Sequence, residues 1–213
     1  MRIVVKAGPP ALACPTGCPD TRHVEIIVKT LSDRKNAGHE IVLVSSGAIG
    51  MGVGRLSLKG RPEDMPAKQA GASAGQCELM HTYDRLFGEY NHVVGQILLT
   101  GSDFSHADRK ANFENTILRL IGQGAIPVVN ENDTIVTDEI SVGDNDTLAR
   151  EHAEGKGSSF GSGGMITKLN AAQTAMQRGV AMVITNGARP RKLYNIVEGE
   201  AVSTRFIGKE SVQ

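Results

Sequence analysis

Ile126-Pro-Val-Val-Asn-Glu-Asn-Asp133 is an apolar run of strand length that stops abruptly in four polar residues. Gly143-Asp-Asn-Asp146 follows shortly, so two clusters of amides and carboxylates lie close together in the chain. Such groups are costly to bury without partners and are expected to face a cleft or a ligand. By residue type alone they can hold an ammonium group, orient a lysine or bind a metal.

Outward from this stretch, strands and helices alternate. Residues 2–6, 41–44, 93–99 and 181–185 are further apolar runs of strand length. Helical spacing is carried by Val24, Ile27, Val28 and Leu31 within residues 21–36, and by Leu79, Met80, Tyr83, Leu86 and Phe87 within 67–89. In the second helix Ala70, Gly71, Ala72, Ala74 and Gly75 predict close helix packing. Residues 109–120, 165–178 and 189–198 read as helices, and 134–142 as a β-hairpin. Residues 45–54 read as a small-residue loop after a strand, with Gly50, Gly52 and Gly54 in series. The alternation predicts a three-layer α/β/α sandwich with a largely parallel central sheet, as one domain over residues 1–213. Ligands of such sheets collect beyond the carboxyl ends of the strands.

Composition removes several function classes. The 213 residues are 40% apolar and 22% charged, enough for a substantial core. Lys plus Arg balance Asp plus Glu at 23 each, so no bulk basic field argues for nucleic acid or an acidic membrane surface. Three Tyr, five Phe and no Trp offer little for base stacking. No apolar run approaches the roughly 18 residues of a membrane span, and residues 3–5 are too short for a signal-peptide core; the expected location is cytoplasmic. Cys14 and Cys18 share a Pro- and Gly-containing loop near His23, an incomplete ligand set for zinc. Ordinary reduced thiols are the simpler reading, and no metal site is assigned to protein side chains.

Three strands end in small or polar residues: Lys6-Ala-Gly8, Ser45-Ser-Gly47, and Asn130 to Asp133. A glycine two residues after Lys6 permits close approach of a phosphate, and Ser46 with Gly47 can offer a hydroxyl and NH groups to a carboxylate or phosphate. A second glycine-rich run, Gly155-Lys-Gly-Ser-Ser-Phe-Gly-Ser-Gly-Gly164, precedes Met165-Ile-Thr-Lys168 at a helix start, where NH groups point at anions. Neither a G-x-x-x-x-G-K-[ST] loop nor a complete G-x-G-x-x-G is present. Two lysines, anion loops and a carboxylate cluster suit phosphoryl transfer better than hydrolysis, because that reaction is catalysed mainly by positioning and charge neutralisation. No Ser-His-Asp, Cys-His or H-E-x-x-H arrangement competes.

Val4-Val-Lys-Ala-Gly8, Val44-Ser-Ser-Gly-Ala-Ile-Gly50, Gln96-Ile-Leu-Leu-Thr100, Asn112-Phe-Glu-Asn115, Asn130-Glu-Asn-Asp133, Val142-Gly-Asp-Asn-Asp146 and Gly161-Ser-Gly-Gly-Met-Ile-Thr-Lys168, in this order, resemble the glutamate 5-kinases of the amino acid kinase family. The resemblance covers nearly the whole chain. It implies ATP-dependent phosphorylation of the L-glutamate γ-carboxylate in proline synthesis, with Mg2+ as cofactor. Lys6 and Lys168 match the lysines that stabilise the transferring phosphoryl group, and Asp146 the aspartate that organises them. Ser46, Gly47, Asp133 and Asn145 match the glutamate site, with Asp133 suited to the ammonium group. Lys6 and Gly8, with Ser162, Gly163, Gly164, Met165, Thr167 and Lys168, match the nucleotide-binding positions. Feedback inhibition by proline and a homo-oligomer are implied in the same way.

The chain departs from that pattern in four places. Pro9 and Pro10 follow Gly8 where hydroxyl residues are usual, and proline has no NH to donate. Gly101 stands where an arginine is expected. Between Ala149 and Glu154 several dozen residues of the family pattern have no counterpart, among them a strand and an aspartate-containing nucleotide loop. The C-terminal RNA-modification-type (PUA) domain of many members also has none. Two alternatives follow: an amino-acid-binding relic without a complete nucleotide site, and a related kinase for another acid or a nucleoside monophosphate.

Overall fold

The computed structural model describes residues 1–8, 12, 14, 18–135, 165–187, 189–200 and 203–207. Its first half is built on four parallel strands in the order β1-β2-β4-β3, namely β1 (Arg2–Lys6), β2 (Glu40–Val44), β3 (Val94–Leu99) and β4 (Ile126–Glu131). The register pairs Lys6 with Val44, Val44 with Val129, and Leu99 with Glu131, so the carboxyl ends of all four strands lie along one edge.

Alternation along the strands divides the core in two. Ile41, Leu43, Ile126 and Val128 face Val24, Ile27, Val28 and Leu31 of α1 (Thr21–Asn36), and Leu79, Tyr83, Leu86 and Phe87 of α3 (Met65–Gly88). Val42, Ile97, Leu99 and Val129 face the opposite layer, where Phe113, Ile117, Leu120 and Ile121 of α5 (Ala107–Gly122) pack with Phe104 of α4 (Gly101–Ser105). Helices on both faces of a parallel sheet make the three-layer sandwich that the alternation predicts. All six residues of β4 are buried, as expected for a central strand covered twice. The edge strand β1 is half covered: Ile3 and Val5 pack inward, while Val4 is 61% exposed.

Helix ends follow the local chemistry. Asp20 caps α1 by accepting from the His23 NH at 3.1 Å, and Asp64 caps α3 by accepting from the Ala67 NH at 2.9 Å. Thr100 and Asp103 form a reciprocal capping box at α4, so Gly101 opens a short helix here.

Residues 45–54 differ from their expectation. The glycine series lies in a helix, α2 (Ala48–Arg55), where a loop is expected because glycine is a poor helix former. Packing supplies the reason. A Cβ on Gly52 would stand 1.9 Å from the Gly71 carbonyl oxygen, and one on Gly75 would stand 1.7 Å from that of Ala48. Backbone meets backbone between α2 and α3, so the small face of α3 is used inside the chain.

Beyond the described part of the first half, α6 (Met165–Gln177) packs on a two-stranded antiparallel sheet of β5 (Met182–Ile184) and β6 (Thr204–Phe206). Strand β6 has no counterpart in the periodicity reading. A short helix, α7 (Lys192–Glu198), docks on the end of α1: Arg34 pairs with Glu198 at 2.5 Å and lies over the Tyr194 ring at 5.0 Å, and the Tyr194 hydroxyl donates to Asp33. The expected hairpin is described only at Thr134 and Ile135, which form a turn; its remainder lies outside the described residues.

Candidate active site

Parallel register brings the three polar strand ends to one edge of the sheet. The Ala7 NH donates to the Val44 carbonyl at 2.9 Å, and the Ser45 NH to the Val129 carbonyl at 2.8 Å. The chain after β1 is thereby tied to β2, and the chain after β2 to β4. The Ser46 hydroxyl donates to the Ala7 carbonyl at 3.0 Å, closing the same corner through a side chain. Gly47 then takes φ of +97°, a left-handed conformation that glycine adopts without strain, and caps α2. Of the residues matched to an amino-acid site, Ser46 and Gly47 therefore sit at the head of α2, between β1 and β4. Lys6 projects from the last position of β1 and is exposed; Gly8 lies two residues on.

The polar cluster after β4 divides by depth. Asn130 and Glu131 are within the strand and are 1% and 2% exposed, so they face the interior where a cleft is expected. The Asn130 amide donates to the Gln76 carbonyl oxygen on α3 at 2.7 Å. Asn130 Oδ1, Gln76 Nε2 and both carboxylate oxygens of Glu131 have no partner among the described residues. Asp133 lies beyond the strand in a turn and is half-buried. Desolvation pushes its pKa up to about 6, against the opposing pull of the Arg61 guanidinium. A carboxyl held in this way gains most when a cation arrives to share its burial.

Sequence reasoning missed the layer behind this edge. Tyr83 is fully buried, its pKa is pushed up to about 12 by desolvation, and its hydroxyl shares a 2.9 Å hydrogen bond with the Ser45 hydroxyl. Gln76 and Tyr83 are seven residues apart, two helical turns, and so lie on one face of α3. That spacing was the available signal, masked because Tyr83 also satisfies the apolar pattern.

Lys168 lies in the first turns of α6 and is half-buried, and Met165 and Thr167 belong to the same helix. Asn145, Asp146, Ser162, Gly163 and Gly164 lie outside the described residues. Among the described residues no group of three His, Cys, Asp or Glu side chains is placed to hold a metal ion, and no helix is long and apolar enough to cross a membrane.

Comparison with known proteins gives these elements a family. The model of the amino acid kinase family matches residues 1–158. A glutamate 5-kinase of Clostridium acetobutylicum is 40% identical over 98% of this chain and 95% of its own length. One from Listeria monocytogenes is 38% identical over 98% of this chain and 94% of its own. The first alignment runs over 253 positions, more than the 213 residues of this chain, so the relative carries residues inside the matched span that have no counterpart here. Among solved structures, an isopentenyl phosphate kinase superposes with a TM-score of 0.59 at 15% identity, over 96% of this chain and 99% of that one. A carbamate kinase from Giardia lamblia bound to AMP-PNP gives 0.60 at 13% identity, over 98% of each. At such identities the two structures speak for the shared fold, and together with the family match and the curated relatives they show that this chain belongs to the amino acid kinase family of phosphotransferases.

Proposed function

We propose that this chain phosphorylates the γ-carboxylate of L-glutamate with ATP, giving glutamyl 5-phosphate, the first step of proline synthesis. The observation that carries the reading is 40% identity to a named glutamate 5-kinase across 98% of the chain. Site geometry is compatible with it: Ser46, Gly47 and Asp133 gather at one sheet edge, where Asp133 would take the substrate ammonium group and the Ser46–Gly47 corner would meet a carboxylate. Asn145 completes the amino-acid half by family match.

The attacking oxygen belongs to a carboxylate that is already ionised at neutral pH, so no general base is required of the protein. Catalysis reduces to holding two anions together and neutralising the charge that develops between them. Lys6, a cation exposed at the end of β1, fits a phosphate at this edge; Lys168, at the start of α6, would supply the second ammonium group. Asp146 would order the two ammonium groups. Gly8, Ser162, Gly163, Gly164, Met165 and Thr167 are assigned to the nucleotide. Mg2+ would arrive on the phosphates of ATP, since it keeps several waters and takes few protein ligands.

The same reading includes one amino acid kinase-like domain over residues 1–213, with the unmatched family segment falling near residues 149–154, a homo-oligomer, and proline as feedback inhibitor. A coupled assay for glutamate-dependent ADP formation tests the activity. Wild type is expected to turn over and Lys168→Ala to lose at least about 100-fold in kcat, on the scale of removing one charge-stabilising donor. Wild-type turnover no higher than that of Lys168→Ala would overturn the proposal, and calorimetric binding of glutamate without ATP would then favour the amino-acid-binding relic.

A further inference from the structure

We infer that helix α3 is the positioning element of the amino-acid half of the site, acting through Tyr83 on Ser45 and through Gln76 on Asn130. The inference rests on the proposed glutamate site and adds residues to it. Tyr83 and Ser45 are both fully buried, and each is the other's hydroxyl partner at 2.9 Å. Ser45 is the residue before Ser46, and its NH is already fixed to Val129. With the Tyr83 bond in place, backbone and side chain of Ser45 are both held, and the Ser46–Gly47 corner leaves it in one direction. Two turns away on the same helix, Gln76 holds Asn130, three residues before Asp133.

The chemistry argues for orientation more than for stability. A 2.7 Å amide pair leaves one buried donor and one buried acceptor unfilled whichever way the two amides are turned, and here these are Gln76 Nε2 and Asn130 Oδ1. A pair of apolar side chains would fill the same space without that penalty. What the polar pair provides is a fixed register between α3 and the end of β4. Gly75, next to Gln76, lies against the Ala48 carbonyl at the head of α2, so the helix that holds both strand ends also abuts the helix that Ser46 and Gly47 introduce.

The test is a double-mutant cycle on glutamate affinity, measured by calorimetry without nucleotide on the full chain at a temperature where circular dichroism shows every variant folded. Tyr83→Phe removes one oxygen, and Ser45→Ala removes its partner. Each is expected to weaken glutamate binding about 5- to 10-fold, the equivalent of one buried hydrogen bond, and the double variant to be no weaker than either alone. In turnover assays the same variants raise KM for glutamate with kcat within about threefold, a split that general loosening of the core does not produce. Gln76→Leu gives a similar loss that adds to that of Tyr83→Phe, because the two act on separate strands. If Tyr83→Phe does not fold, Ser45→Ala carries the test with a smaller excision. Wild-type affinity for glutamate with both single variants within about twofold of it overturns this inference alone. No glutamate binding by wild type overturns it together with the proposed function.

Discussion

At Asp133 burial sets both a pH dependence and a stability trade. Its pKa is pushed up to about 6 from the ordinary 3.8, so the folded chain holds this proton more tightly than the unfolded chain does. The resulting stabilisation is fully present below pH 3.8 and is lost as pH rises to about 6, the reverse of a salt-bridged carboxylate. Removing the charge should therefore help the fold where it harms the site. Asp133→Asn is expected to be about 1–2 kcal/mol more stable than wild type at pH 7.5 in urea denaturation, and to lose glutamate binding about 100-fold. Wild-type affinity for glutamate should fall about tenfold per pH unit below 6 and be flat above 7, as calorimetry between pH 5 and 8 would show. An affinity independent of pH over that range would detach Asp133 from the ammonium group.

Residue type marked this candidate site in the sequence, and residue depth was not legible there. Asn130 to Asp133 read as one polar cluster, yet a strand turns successive side chains to opposite faces and β4 continues through Glu131. The cluster is therefore two buried strand residues followed by a turn. Glu131, buried with both oxygens unpartnered among the described residues, was invisible as a special case because burial is a property of the assembled sheet.

Among the elements, α2 and α3 are held by absence of side chains. Gly52→Ala or Gly75→Ala places a methyl group inside van der Waals contact with a backbone carbonyl that cannot swing away. Each is expected to cost about 3 kcal/mol in thermal or chemical unfolding, or to prevent folding. Gly88→Ala, at the last position of α3 with no heavy atom within 4 Å, is the control, expected to gain about 0.5–1 kcal/mol from helix propensity. Gly75→Ala as stable as wild type would show the helices lying further apart. The same contact explains why α2 was missed. Three glycines in an eight-residue helix argue against it locally, and only the partner helix reverses the balance. Helices α1, α3 and α5, by contrast, carry their apolar faces at helical spacing and were legible within a few residues of their ends.

Across the whole molecule, the central sheet and the C-terminal part of the chain meet at the end of α1. Arg34 joins them through Glu198 and the Tyr194 ring, with the Arg34 side chain mostly buried and Glu198 half exposed. Arg34→Ala is expected to cost about 1 kcal/mol and to abolish hydrogen-exchange protection in residues 192–198, while β2 and β4 keep theirs. Equal loss of protection in β2 would mean that the two parts unfold as one unit. This long-range latch had no sequence signal, since its members lie more than 150 residues apart. The parallel sheet was legible because its strands recur with helices between them, and β5 falls within the apolar run 181–185, whereas the three-residue strand β6 is too short to show a period.

The glycine contact between α2 and α3 has a mechanical consequence for the corner that α2 carries. Side-chain interfaces accommodate a bound molecule by exchanging rotamers, each hop moving the helices by a fraction of an ångström. Where backbone lies against backbone, at Gly52 and Gly75, there are no such gears. At those two points any shift of α2 toward α3 meets a carbonyl at once, so Ser46 and Gly47 are presented by a stop more than by a spring.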